Sequence, residues 1–337
     1  MELIFWTFVF IISLFLLIKG ADWLVENSEK IALALKISPF IVGVSIVAIG
    51  TSFPELASSV AAVIKGQTEM VGANVVGSNI ANILLIVGLS AIAAKTLIIR
   101  RSLIDVDLPL LASTTFLFLF VMVDKKIVPG EGILLLGGFL VYLLYTVSQR
   151  KEEILTPELI EILPEGIKIQ VLPSRVERRE IRLKKKPEKL KLKFFIFLIV
   201  GLFSLIVGAN YIIDSVVEIS KILKITPTLI SITAIAVGTS LPELVVSVRS
   251  AFQKKYEISL GNIFGSNVFN ALVVAGIPSL IKPLVIDTAT FSIGLPFLIV
   301  STFLFIISGI SRRIHIWEGG MYFLIYILFL IKLFNFF

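Results

Sequence analysis

Ile49-Gly50-Thr51-Ser52-Phe53-Pro54-Glu55 recurs as Val237-Gly238-Thr239-Ser240-Leu241-Pro242-Glu243, 188 residues further along a chain of 337. The same offset carries Asn74 to Asn262, Gly77-Ser78-Asn79 to Gly265-Ser266-Asn267, and Asn82 to Asn270. Upstream it carries Gly20-Ala21 to Gly208-Ala209, Lys36-Ile37 to Lys224-Ile225 and Pro39 to Pro227. An offset this constant marks an internal duplication. Two copies are too few for a solenoid or an array.

The duplicated motif lies inside apolar sequence. Hydrophobic residues make up 57% of the chain and charged residues 16%, with mean hydropathy +0.99. A soluble domain is about 45–50% apolar and about 25% charged, and a bilayer core needs roughly 20 mostly apolar residues per helix. The pattern predicts an all-α polytopic membrane protein with ten spans, at 3–20, 37–64, 70–93, 103–123, 129–148, 193–216, 225–252, 258–281, 289–309 and 316–336. Each copy holds five of them. Because five is odd, the second copy enters the membrane from the opposite side, so the two transmembrane repeats are inverted. The predicted organisation is a first repeat at 1–148, a charged loop at 149–192 and a second repeat at 193–337.

Several function classes drop out. Without cysteine there is no disulfide, thiolate metal site or thiol nucleophile. The one histidine, His315, follows Arg312 and Arg313 at a helix end and reads as a surface residue. The first span opens on Glu2 and runs on to Lys19 with no basic start or small-residue cleavage site, so it reads as retained. The net charge of +7 does not point to nucleic acid, because the basic residues concentrate in the 149–192 loop, with Arg178-Arg179 and Lys184-Lys185-Lys186. Lys95, Arg100, Arg101, Lys254, Lys255, Arg312 and Arg313 fall on that loop's side of the membrane. The positive-inside rule makes this side cytoplasmic and puts both termini outside a plasma membrane.

The repeated residues make a coherent cage. Pro54 removes a backbone donor and clashes with the carbonyl of Gly50, so carbonyls around Ala48–Thr51 are predicted to be free for a cation. Thr51, Ser52 and Glu55 lie within a turn of that break, as Thr239, Ser240 and Glu243 do in the second copy. Asn74, Ser78 and Asn82 are spaced i, i+4, i+8 on one stripe, and so are Asn262, Ser266 and Asn270. Hydroxyl, amide, carbonyl and carboxylate oxygens suit a hard cation such as Ca²⁺, which takes six to eight oxygens, or Na⁺. They do not suit zinc or copper. A glutamate at mid-bilayer costs at least about 2.5 kcal/mol and marks function, so Glu55 and Glu243 are read as the ion-binding pair. Gly50, Gly77, Gly238, Gly265, Ser59 and Ser247, taken singly, are read as packing residues. Asp105, Asp107, Asp124 and Asp287, near helix ends, are read as interface residues.

The segments 43–88 and 231–276, with Gly-Thr-Ser-x-Pro-Glu followed by Gly-Ser-Asn, resemble the alpha repeats of the cation/calcium antiporter superfamily. They are most similar to those of the prokaryotic sodium/calcium exchangers. The resemblance implies a Ca²⁺ site bridged by Glu55 and Glu243 with help from Thr51 and Thr239. It also implies flanking Na⁺ sites at Ser52, Ser78, Ser240 and Ser266, and a first and sixth helix that slide across a fixed core. Two departures stand out: Asn270 where many exchangers have aspartate, and Ala73-Asn74 where they have Gly-Asn. The proton/calcium branch reads Gly-Asn-Ala-x-Glu instead.

The expectation is a non-enzymatic secondary antiporter, active as a monomer, with no cofactor and with Ca²⁺ and Na⁺ as its transported ions. An H⁺/Ca²⁺ antiporter using the same glutamates as proton carriers is the alternative, since burial raises carboxyl pKa values in general. A channel normally builds its filter from symmetric subunits, which nothing in the sequence requires. An intramembrane protease would need a Ser-His pair or two aspartates within spans, and the lone helix-end histidine and the end-placed aspartates argue against it.

Overall fold

A computed structural model describes residues 2–35, 37–99, 108–148, 190–223 and 240–334. The helices are α1 (Glu2–Leu35), α2 (Pro39–Ile64), α3 (Glu69–Ala94), α4 (Leu108–Val121) and α5 (Pro129–Ser148) in the first repeat. The second has α6 (Leu192–Ile222), the described part of α7 (Leu241–Phe252), α8 (Tyr256–Ile281), α9 (Thr290–Ile310) and α10 (Ile316–Leu333). The fold is an all-α, ten-helix membrane protein of two inverted five-helix repeats. Helices satisfy their own backbone groups, which lipid cannot do. The first half of the seventh span (225–239), Arg100, Arg101, Asp105, Asp107 and nearly all of the 149–192 loop lie outside the described residues.

The inversion is visible in two small antiparallel sheets. β1 (Thr96–Ile98) pairs with β4 (Arg313–His315), and β2 (Lys126–Ile127) pairs with β3 (Leu284–Val285). The 188-residue offset maps β1 onto β3 and β2 onto β4. It therefore exchanges one sheet with the other, and the sheets lie at opposite ends of the bundle because an odd number of crossings separates them. Each sheet also ties one repeat to the other.

Two of the expected spans were too short. The first was expected to end near residue 20 and the sixth near 216, yet α1 runs 34 residues and α6 runs 31. Hydropathy finds where lipid ends, not where a helix ends. Beyond Lys19 the helix continues on polar residues that support one another at i, i+4, with Lys30 Nζ 2.6 Å from Glu26 Oε1. Lys221 and Glu218 pair at i, i+3 near the end of α6.

Packing separates the molecule into two apolar bodies. The larger core is built from α2–α5 and α8–α10 around Ile80, Leu84, Phe118, Phe264 and Phe305. A second cluster joins Leu17, Ala21, Leu24 and Ile31 of α1 to Phe194, Leu198 and Leu205 of α6, and rests on Val42, Val47, Val246 and Ile258. The helices of this pair touch backbone to backbone. A methyl group on Gly20 would stand 2.7 Å from the Gly201 carbonyl oxygen, and one on Gly208 would stand 2.8 Å from that of Ser13. Small residues permit this approach, and dispersion sustains it where lipid removes the hydrophobic drive.

Candidate functional site

The site begins with a helix break that occurs twice. In α2 the helix stops at Thr51, Ser52 takes φ −88° and ψ 5°, and a new helix starts at Phe53 with Pro54 in its first turn. Ser240 repeats this at φ −87° and ψ 7° ahead of Leu241 and Pro242. Glu55 and Glu243 each fall in the first turn of the new helix, at the positive end of its dipole. The expectation about freed carbonyls needs correcting in part. The Ala48 carbonyl is engaged, accepting from the Ser52 N–H at 2.9 Å and from Thr51 Oγ1 at 3.2 Å.

Four helices then converge through hydrogen bonds. Ser52 Oγ on α2 donates to Glu243 Oε1 on α7 at 2.8 Å, and Thr51 Oγ1 also lies 3.1 Å from Asn262 Oδ1 on α8. Asn82 Nδ2 on α3 donates to Asn267 Oδ1 on α8 at 3.0 Å. Close backbone contact brings α8 to α2: a methyl on Gly261 would stand 2.6 Å from the Phe40 carbonyl oxygen, and one on Gly265 2.3 Å from that of Val44. The packing reading of Gly265 therefore holds.

Ser59 and Ser247 do something more specific than packing. Asn74 Nδ2 donates to Ser59 Oγ at 3.2 Å, and its counterpart Asn262 Nδ2 donates to Ser247 Oγ at 2.9 Å. Each serine takes the amide nitrogen of its asparagine, and on Asn262 this leaves the oxygen to meet Thr51. Asn79 and Asn267 were quoted in the motif but not counted among the site residues. Asn79 Nδ2 donates to the Asn267 backbone carbonyl at 3.2 Å. These two are counterparts across the 188-residue offset, so their contact lies at the pseudo-twofold axis between repeats. A residue facing its own image was the available signal.

All of this is dry. Glu55 and Glu243 are 1% exposed and are the only fully buried carboxylates among the described residues. Thr51, Ser52, Ser78, Asn82, Ser240, Asn262, Ser266 and Asn270 are buried, and Asn74 is half-buried. Thr239 lies outside the described residues. Among those described, Glu243 Oε2, Ser266 Oγ, Asn82 Oδ1 and both side-chain polar atoms of Asn270 are buried with no hydrogen-bond partner. Orphaned buried polar atoms are uncommon and each calls for an explanation. The α3 and α8 walls are also irregular: π-helical turns run Ala81–Val87 and Asn270–Val274, starting beside or at the candidate residues Asn82 and Asn270, as such turns do at many functional sites.

Asp124 and Asp287, the described members of the predicted interface set, both lie in connections between helices, outside the buried site. Asp124 Oδ1 accepts from the Lys126 N–H at 3.1 Å in an exposed turn, and Asp287 Oδ1 accepts from the Thr290 N–H at 2.9 Å at the start of α9. The exposed His315 begins α10, its N–H donating to Glu318 Oε2 at 2.7 Å.

A family model described as sodium/calcium exchanger protein matches residues 5–148 and 193–335, both repeats without the linker. The sodium/calcium exchanger MaX1 of Methanosarcina acetivorans is 31% identical over 345 residues, covering 97% of each chain. The inner membrane protein YrbG of Escherichia coli is 30% identical over 292 residues, covering 85% of this chain and 83% of its own. Among solved structures, the sodium-calcium exchanger NCX_Mj soaked with 2.5 mM Na⁺ and 0.1 mM Ca²⁺ matches with a TM-score of 0.77 and 29% identity, over 96% of this chain and 97% of that one. The same exchanger soaked with 2.5 mM Na⁺ and 0.1 mM Sr²⁺ matches at a TM-score of 0.77 and 28% identity.

Proposed function

The chain belongs to the sodium/calcium exchanger family, and on that premise we propose that it exchanges Na⁺ for Ca²⁺ by alternating access, with Ca²⁺ held between Glu55 and Glu243. Cation/Ca²⁺ antiport is the coarser activity that the family carries. The finer reading rests on one observation: the helices that converge on the buried Glu243 carry buried side-chain oxygens without protein partners, on Glu243 itself, Ser266, Asn82 and Asn270. Desolvating such groups is costly unless something compensates, and a hard cation is what that oxygen inventory accepts.

Charge balance favours Ca²⁺. Two ionised glutamates neutralise one divalent ion, while Thr51, Thr239 and the asparagine oxygens supply neutral ligands. Glu243 can present Oε2 to the ion while Ser52 continues to hold Oε1. Na⁺ ions would occupy positions flanking this centre, using Ser52, Ser78, Ser240 and Ser266, with Asn82, Asn270, Asn74 and Asn262 completing the cage. Inverted repeats whose interrupted helices meet at mid-membrane support alternating access around a fixed site. The 149–192 linker is placed on the cytoplasmic face of the plasma membrane and both termini outside, the side assignment following from the Lys/Arg excess. The chain acts as a monomer, each copy holding both halves of its site.

The counter-ion is tested in vesicles loaded with Ca²⁺ and given first a Na⁺ gradient, then a pH gradient of equal size. Sodium-driven Ca²⁺ movement is the expected result. Movement driven by the pH gradient alone would transfer the same site to H⁺/Ca²⁺ exchange, and Ca²⁺ flux without a counter-ion would make it a channel.

A further inference from the structure

The two repeats match at the site but not where α1 meets α7. Arg249 Nε donates to Asp22 Oδ1 at 2.6 Å and its Nη2 to Oδ2 at 3.1 Å, a bidentate pair, and Gln253 Nε2 donates to Asp22 Oδ1 at 3.0 Å. Two turns further along α1, Glu29 Oε2 lies 3.0 Å from Lys255 Nζ. All four charges are partly sheltered, their side chains 21–37% exposed. These contacts tie α1 to the end of α7 and the α7–α8 turn, on the side of the 149–192 linker.

The 188-residue offset replaces every partner. Asn210 stands for Asp22, Ala61 for Arg249, Lys65 for Gln253, Val217 for Glu29 and Gln67 for Lys255. Burial is unequal in the same sense: Val246 is buried in the α1–α6 cluster, whereas its counterpart Ser58 on α2 is exposed. In a transporter of inverted repeats, the second access state arises when the repeats exchange conformations. That exchange sets α6 against the far end of α2, with Asn210 facing Ala61 and Lys65, and Val217 facing Gln67. No ion pair forms between these counterparts.

We propose that Asp22–Arg249 and Glu29–Lys255 are a one-sided latch that holds the linker face closed and biases the resting transporter toward the state open to the opposite face. The latch rests on the alternating-access reading above. It makes the two access states unequal although the binding residues are duplicated. Partly exposed pairs of this kind are modest individually, so removing the bidentate one shifts the balance by about 1.5- to 5-fold.

The chain has no cysteine, so single reporters can be introduced without background. Val246→Cys reports opening at the linker face and Ser58→Cys reports opening at the other. In proteoliposomes free of Ca²⁺, adding Asp22→Asn is expected to raise maleimide labelling at Val246→Cys by about 1.5- to 5-fold and to lower it at Ser58→Cys. The reversed pair, Asp22→Arg with Arg249→Asp, is expected to return both rates toward the parent values. Unchanged rates, or a rise at both positions, would overturn the latch, and Na⁺-driven Ca²⁺ exchange persisting in the parent would leave the function standing. A parent that exchanges Ca²⁺ for neither Na⁺ nor H⁺ would overturn the reading beneath it.

Discussion

Replacing Gly265 with alanine adds one methyl group where α8 and α2 touch. That methyl would stand 2.3 Å from the Val44 carbonyl oxygen and 2.5 Å from Ala48 Cβ, where ordinary contact begins at 3.4 Å. Most of the obstruction is backbone, so the helices must part by about 1 Å, an overpacking that costs about 1–3 kcal/mol. Alanine returns about 1 kcal/mol of helix propensity relative to glycine, so the protein stays folded. The separation stretches the 3.1 Å Thr51–Asn262 contact to about 4 Å, beyond hydrogen-bond range. Displacing a functional group by 1 Å can cost about 100-fold, and Ca²⁺ ligands must sit at roughly 2.3–2.6 Å. Ca²⁺ affinity, measured by titration calorimetry on purified protein, is therefore expected to fall about 10- to 100-fold. Gly320→Ala is the control, since no described atom lies within 4 Å of its added methyl. A folded Gly265→Ala protein with Ca²⁺ affinity within about two-fold of the parent would refute the idea that backbone contact sets the site's spacing.

Two further outcomes follow from single side chains. Asn270→Asp adds a third carboxylate to a cage that otherwise leaves one positive charge uncompensated when three Na⁺ are bound. It is expected to tighten Na⁺ binding and raise the Na⁺ transported per Ca²⁺ in reconstituted vesicles; unchanged affinity and stoichiometry would sink that reasoning. Ser247→Ala removes the hydroxyl that accepts from Asn262; a buried donor left unsatisfied costs about 1–3 kcal/mol. It is expected to lower Ca²⁺ affinity about 5- to 10-fold, with Ser247→Thr restoring it, and failure of that rescue would reduce Ser247 to packing.

Much of the fold was legible because a membrane leaves few options. Apolar runs longer than a bilayer became helices, and a repeat with an odd number of spans forced the inversion that the two exchanged sheets display. The burial of Glu55 and Glu243 was legible because a carboxylate inside an apolar span is costly to leave facing lipid. What escaped notice depended on the other helices. The polar halves of α1 and α6 read as loops, since nothing in Asp22, Glu26 or Glu29 reveals that each meets a partner. The π-helical turns at Ala81–Val87 and Asn270–Val274 have no compositional signature in otherwise ordinary apolar sequence. Ser59 and Ser247 looked like packing residues because a serine's role depends on the amide opposite it, 15 residues away in each case.

The central claim is that Glu55 and Glu243 hold one Ca²⁺ between the repeats. Equilibrium Ca²⁺ titration of the purified protein, alone and with Glu55→Gln or Glu243→Gln, tests it most directly. Breaking a buried charge pairing costs about 3–5 kcal/mol, so each variant is expected to lose affinity by at least about 100-fold, while the parent binds one Ca²⁺ per chain and releases it to Na⁺. Either variant binding Ca²⁺ within about three-fold of the parent would contradict the account.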